Sequence, residues 1–252
     1  MSLYFEELDY RPTPIGALSL RRRRELSMGV DVFEIKLGDE YLMSSLFTAS
    51  EIALARLALA DLPGADLDVV VGGLGLGYTA QAVLENNAVK SLVIVEALDA
   101  VIDWHEKGVL PLGPALTADP RSRFVLGDFF ALAASKEGFD PDAPARRFDA
   151  ILVDIDHSPD SLLDPQNADF YQSSGLKRLA AHLHAGGVFG LWSNELPDEL
   201  FTARLAEVFA TARAERVTFH NPLQNRDFTQ TVYLARTAVV PAPREAERWQ
   251  PD

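Results

Sequence analysis

Val69-Val70-Val71-Gly72-Gly73-Leu74-Gly75-Leu76-Gly77 is the stretch on which the fold turns. Three β-branched residues in a row suit a strand buried on both faces, and the glycines then break it into a turn. Glycine is needed where backbone takes positive φ or comes close to a ligand. Thr79–Glu85 has helical spacing, so a helix N-terminus follows the turn and offers N–H groups to a carboxylate or phosphate.

The same alternation continues on both sides. Strand-like runs are Asp68–Val71, Leu92–Glu96, Arg123–Leu126, Phe148–Val153 and Val188–Trp192, followed by Arg216–His220 and Thr231–Ala235. Helical patterns lie at Ala100–Lys107, Phe130–Lys136, Phe170–Leu183 and Asp198–Ala212. Alternating β and α units imply a mostly parallel sheet with helices on both faces. Only a polar loop separates the last two strands, so they pair antiparallel at one edge. Thr48-Ala49-Ser50-Glu51 has the pattern of a capping box at the start of a helix that Pro63-Gly64 ends. Before it, Gly16–Leu20 and Val30–Leu37 are β-prone, and Gly38-Asp39 is a turn signal. Arg21–Arg24 should interrupt this region as exposed charges on an edge or turn. The expected division is a small β region over 1–45, a Rossmann-like domain over 46–237 and a disordered tail over 238–252.

Composition narrows the classes. The chain has 252 residues, 48% apolar and 24% charged, enough for one sizeable core. A net charge of −14 argues against general nucleic-acid binding; it reads first as a solubility feature, and an acidic field also attracts cationic small molecules. There is no cysteine, hence no disulfide and no thiolate ligand or nucleophile. No apolar run approaches a membrane span, and Glu6, Glu7 and Asp9 are unlike a signal peptide, so a cytoplasmic location is expected.

Open α/β sheets bind ligands at the carboxyl ends of their strands, and three acidic positions fall there. Glu96 closes the second strand of the series, where a carboxylate accepts ribose hydroxyls. Gly127-Asp128 closes the third and suits an adenine amino group, although Asp128 also stands where a helix N-cap belongs. Asp154 closes the fourth, beside the reacting end, where it orients an amine and takes its proton. Gly72, Gly73, Gly75 and Gly77 are expected to approach the cofactor. Asp156 is a second catalytic candidate and His157 a substrate-binding one, on a loop from Ile155 to Asn167 that could cover the site. Asp-x-Asp-His on one irregular loop has no established metal geometry, and no metal is expected. His182 and His184 read as surface residues or dipole partners near a helix end. The GxGxG spacing, with no second phosphate loop, favours an S-adenosyl cofactor over NAD. Asp154-Ile155-Asp156-His157 also lacks the Pro-Pro-aromatic motif of DNA adenine methylation.

From about Gly38 to Ala235 these residues resemble the spermidine synthase (polyamine aminopropyltransferase) family. The shared features are Val69–Gly77, Val95-Glu96, Gly127-Asp128, the strand ending in Asp154, Gly186-Gly187-Val188 and Leu42-Met43-Ser44-Ser45 before a helix. The resemblance implies a class I methyltransferase fold with a seven-stranded sheet and antiparallel last strand. It implies S-adenosylmethionine or its decarboxylated form as co-substrate, an amine acceptor, and room for a homodimer. Glu96 would then bind ribose, Asp128 adenine and Asp154 the amine. The family carries an acid where this chain has Gly75, an acid that favours the decarboxylated donor; Gly75 makes the turn resemble that of a methyltransferase. The paired aspartates after the fourth strand become Asp154 and Asp156 or His157, and the family's glutamine near Met43 and Tyr-His-Glu segment are missing. Three functions follow: aminopropyl transfer to an amine, methyl transfer to a small molecule, or non-catalytic nucleoside binding.

Overall fold

Strands β5 (Leu67–Gly72), β6 (Val89–Glu96), β7 (Ser122–Leu126), β8 (Phe148–Val153) and β9 (Leu183–Ser193) pair in parallel in the order β9-β8-β5-β6-β7. Strand β11 (Arg226–Arg236) adds antiparallel to β9, and β10 (Thr211–Asn221) adds antiparallel to β11, completing seven strands. These are from a computed structural model, which describes residues 4–13 and 16–239.

Side chains alternate across a strand, so consecutive valines of β5 serve two cores. Val69 and Val71 pack with helices α1 (Ala49–Ala60), α2 (Tyr78–Leu84) and α3 (Asp99–Glu106), through residues such as Leu54, Val83 and Trp104. Val70 faces the opposite layer of α5 (Phe129–Ala134), α6 (Ser173–Ala180) and α7 (Glu199–Ala206), with Phe129, Leu176 and Phe201. Covering both faces is what allows the near-continuous apolar strands. Among the described residues no helix is long and apolar enough to cross a membrane.

A separate antiparallel meander precedes this sheet: β1 (Phe5–Thr13), β2 (Gly16–Glu25), β3 (Val30–Leu37) and β4 (Glu40–Ser44). Strand β1 has too many charges to show in the sequence pattern. Arg21–Arg24 do not interrupt the region; they lie inside β2, a central strand. Acids on the flanking strands answer them: Arg22 pairs with Glu6, Arg23 with Glu34 and Arg24 with Asp31. Asp9 on β1 ties the meander to α3, accepting the Trp104 indole N–H at 2.6 Å.

Other differences are local. The expected helix over Phe170–Leu183 is a 3-10 turn at Pro165–Tyr171 and then α6, divided at Gln172, with Leu183 already in β9. Both pieces bury apolar residues, so spacing alone hides the break. Helix α7 stops at Ala206, short of Ala212, because Thr211 onward pairs with β11. A short helix α4 (Gly113–Ala118) was not legible. His182 is not on the surface: it is buried, its ring edge-on to Phe139 at 5.3 Å and its Nε2 3.3 Å from the Ala133 carbonyl in the last turn of α5, while His184 is exposed within β9. The expected disordered tail lies, from residue 240, outside the described residues.

Candidate active site

The carboxyl ends of β5, β6, β8 and β9 open into one cavity of about 560 Å³, roofed by β3 and β4 of the meander and by the loop after β8. Its walls include Gly73, Gly75, Glu96, Asp128, Asp154 and His157. Strand β5 lies between β6 and β8, so the glycine turn sits where the sheet's connections change direction.

Backbone geometry dictates both glycines of the turn that line the cavity. Gly73 has φ +90°, and a Cβ there would lie 2.1 Å from the Asp154 carbonyl oxygen. Gly75 has φ +47°, and its Cβ would lie 2.7 Å from the Met43 sulfur. Gly72 closes β5 and Gly77 precedes α2; neither lines the cavity, and nor does Gly127, whose N–H bonds the Glu96 carbonyl at 2.9 Å. The N–H groups of the turn itself, as distinct from those of the helix start that follows it, are largely committed within the protein. Gly73 N–H goes to the Val95 carbonyl, Leu74 N–H to Glu96 Oε2 at 2.9 Å, Leu76 N–H to Met43 Sδ, and Gly77 N–H to the Leu74 carbonyl. A turn with its donors spent internally suits a nucleoside better than a pyrophosphate.

Glu96 is nearly buried and also accepts Leu98 N–H at 2.9 Å through Oε1. Burial raises its pKa, opposed by these backbone bonds. Its carboxyl is therefore locked in place, with lone pairs remaining for a diol. Asp128 takes up the expected helix cap and also faces the cavity. Oδ1 caps α5 by accepting Phe130 and Ala131 N–H, and the residue still lines the cavity. Beneath the turn, His105 is fully buried and shares a 2.9 Å hydrogen bond with the Gly75 carbonyl. Burial lowers its pKa, which keeps the imidazole neutral, so Nε2–H is the donor.

At the other end of the cavity Asp154 accepts the Thr79 hydroxyl at 2.6 Å. Burial raises its pKa to about 6, against that hydrogen bond. Beside it stands Glu51, a residue the sequence pattern assigned to a capping box. Thr48 makes no side-chain cap, and Glu51 instead turns inward, 7% exposed, and lines the cavity. Burial, and then the charge of Asp154, raises its pKa to about 7. Ser50 Oγ accepts the Trp192 indole N–H at 2.8 Å, lies 2.7 Å from Glu51 Oε2 and bonds Gln230 Oε1. The Gln230 amide nitrogen is committed to Asn194 Oδ1 at 2.8 Å. Ser50 Oγ donates to Glu51 Oε2, which opposes the upward shift. Burial and the proximity of the two carboxyls still favour a retained proton on the pair. The only sequence signal for Glu51 was an acid one turn into a helix that follows the meander.

Asp156 is not brought to this pair. It is 1% exposed, absent from the cavity wall, and holds the loop by accepting Leu163 N–H and the Tyr171 hydroxyl, each at 2.7 Å. His157 does line the cavity, and its Nε2 lies 2.8 Å from Glu40 Oε1, joining the loop to the meander.

With this geometry in view, comparison with solved structures is decisive for architecture. A spermidine synthase in complex with the transition-state analogue AdoDATO superposes with a TM-score of 0.70 over 93% of this chain and 74% of that one, at 17% identity. Spermidine synthase from Thermotoga maritima gives 0.68 with the same coverage and identity. The fold is that of spermidine synthase. Within the spermidine-synthase fold, curated sequence relatives carry another name. Putrescine N-methyltransferase 2 of Nicotiana attenuata is 30% identical over 135 residues, 54% of this chain and 33% of the relative. Putrescine N-methyltransferase 3 of Nicotiana tabacum is 30% identical over the same length, 32% of its own chain. The chain thus spans about a third of the length of the curated relatives it matches. No family model matches.

Proposed function

We propose that this protein is a transferase of the spermidine-synthase type, moving an alkyl group from the sulfonium of an S-adenosyl donor to an amine. One observation carries the reading: a single cavity holds Glu96 and Asp128 at one end and the Glu51–Asp154 carboxyl pair at the other. Glu96 and Asp128 are roles for ribose and adenine; Gly73 and Gly75 pass beneath the donor. An incoming ammonium gives a proton to the carboxyl pair. The freed nitrogen lone pair attacks the carbon attached to the sulfonium, the C–S bond breaks, and its electrons stay on sulfur as a neutral thioether leaves. Burial lifts the carboxyl pKa values towards neutrality, which makes them competent bases for this transfer.

A second reading, methyl transfer from intact S-adenosylmethionine, is favoured by Met43. Its sulfur packs against Gly75, the place where the related polyamine enzymes carry an acid, so no charge there repels the carboxylate of the intact donor. The names of the curated relatives point the same way.

The test is to incubate the protein with each donor and a panel of amines and weigh the products by mass spectrometry. An aminopropyl or a methyl adduct tells the two reactions apart. Transfer from neither donor to any amine would leave only nucleoside binding.

A further inference from the structure

The cavity divides at the glycine turn. The ends of β6 and β7 and the start of α5 lie to one side, with Glu96 and Asp128; the ends of β8 and β9 lie to the other, with Asp154 and Trp192. Asp164, the remaining acid of the wall, belongs to the first side. Its Oδ1 caps the 3-10 turn by accepting Gln166 N–H, and that turn packs on α5 through Phe170 and Phe130, rings 5.0 Å apart. The second side, beyond the Glu51–Asp154 pair, includes Ile155, His157 and Trp192, and apolar Leu37 and Leu42 belong to the meander that roofs the cavity.

From this distribution we propose that the acceptor is an amine with one cationic end and an apolar body, a monoamine and not a diamine. The inference rests on reading the site as an amine transferase and names its substrate class. Among the described residues that line the acceptor side, the two paired carboxyls at the floor are the only acids. A single ammonium meets both. A second ammonium at the far end of the same molecule would lose its water against leucine and indole with no counter-charge, which disfavours it strongly. An alkyl or aryl group in the same place gains from burial.

The nearby acids do not supply the missing partner. Glu40 stands exposed at the mouth and already holds His157. Glu34 lies one residue from Ile35 on β3, hence on the other face of the strand, where it bonds Arg23 at 2.8 Å.

Calorimetry tests the inference apart from turnover. The protein is saturated with S-adenosylhomocysteine or 5′-methylthioadenosine, and hexylamine is compared with 1,6-diaminohexane, which has the same chain and one more ammonium. Hexylamine is expected to bind at least ~10-fold more tightly. The Leu37→Glu variant, which adds the absent carboxylate, should narrow or reverse that ratio. Equal or tighter binding of the diamine to the unaltered protein overturns the inference, as does binding of neither amine. Transfer is scored separately: efficient transfer to diamines over monoamines defeats the substrate class alone, whereas amine binding without transfer from either donor defeats the enzymatic reading.

Discussion

At the scale of single residues, Glu51 governs how the site responds to pH. Its pKa is raised on folding, from an ordinary 4.5 to about 7. Its favourable contribution is therefore complete below about 4.5 and is lost as pH rises through 7, when folding must bury a charge beside Asp154. Glu51→Gln keeps the contact with Ser50 and removes that charge. Denaturant unfolding of the ligand-free variant at pH 8 should show a gain of about 1–3 kcal/mol over the parent, vanishing near pH 5. The variant should also lose the pair's second ionisation, near 7, from its pH–rate profile, while Asp154 still ionises near 6; a profile unchanged near 7 would count against the pair acting together. Gly75 is the second decisive residue. Installing an acid there needs space, since its Cβ would meet Met43. The double change Gly75→Asp with Met43→Ala should move donor preference towards decarboxylated S-adenosylmethionine, by about 10-fold or more from one added carboxylate repulsion. Competition between the two donors, followed by product mass, measures it.

Elements place these residues, and some of that placement can be read locally while some cannot. Asp128 precedes an apolar helical run and does cap α5, so Asp128→Ala should cost about 1 kcal/mol in addition to any loss of donor binding. Thr48 has the same local signature and makes no cap bond, so Thr48→Ala should change stability by less than about 0.5 kcal/mol. Thermal melts of the two variants distinguish a cap from its likeness. The difference arises outside the sequence pattern: the would-be partner Glu51 is drawn to a polar cluster assembled from β9, β11 and α2. The loop after β8 shows the same limit. Asp156 has the residue type and position of a reacting acid, yet it binds Leu163 N–H and the Tyr171 hydroxyl. Asp156→Ala leaves both buried donors without a partner, at a cost of about 2–4 kcal/mol. Limited proteolysis should then cut first between residues 155 and 164. Cleavage there no faster than in the parent protein would refute the anchoring role.

For the whole molecule, charge and topology act together. A net charge of −14 draws cations to the cavity mouth from a distance, so kcat/KM for an amine should fall as salt is raised, chiefly through association. A flat salt response would show that only the local carboxyl pair matters. The succession of strands along the chain, the glycine turn and the positions of Glu96, Asp128 and Asp154 were legible because each depends on its neighbours in the chain: an apolar run ends, a small residue turns, an acid follows. The sequence by itself thus determined a seven-stranded α/β sheet and acids at the carboxyl ends of β6 and β8 and just beyond β7. It did not reveal β1, whose charges find partners on β2 and α3, Glu6 with Arg22 and Asp9 and Arg11 with Trp104 and Asp103, nor the buried pairing of Glu51 with Asp154, which lie far apart in the chain. It left His105 unmarked beneath the Gly75 carbonyl and gave Asp156 a role that packing reassigns. Those features were decided by the tertiary structure alone, because burial and charge proximity depend on which distant segments meet, and no local periodicity records that meeting.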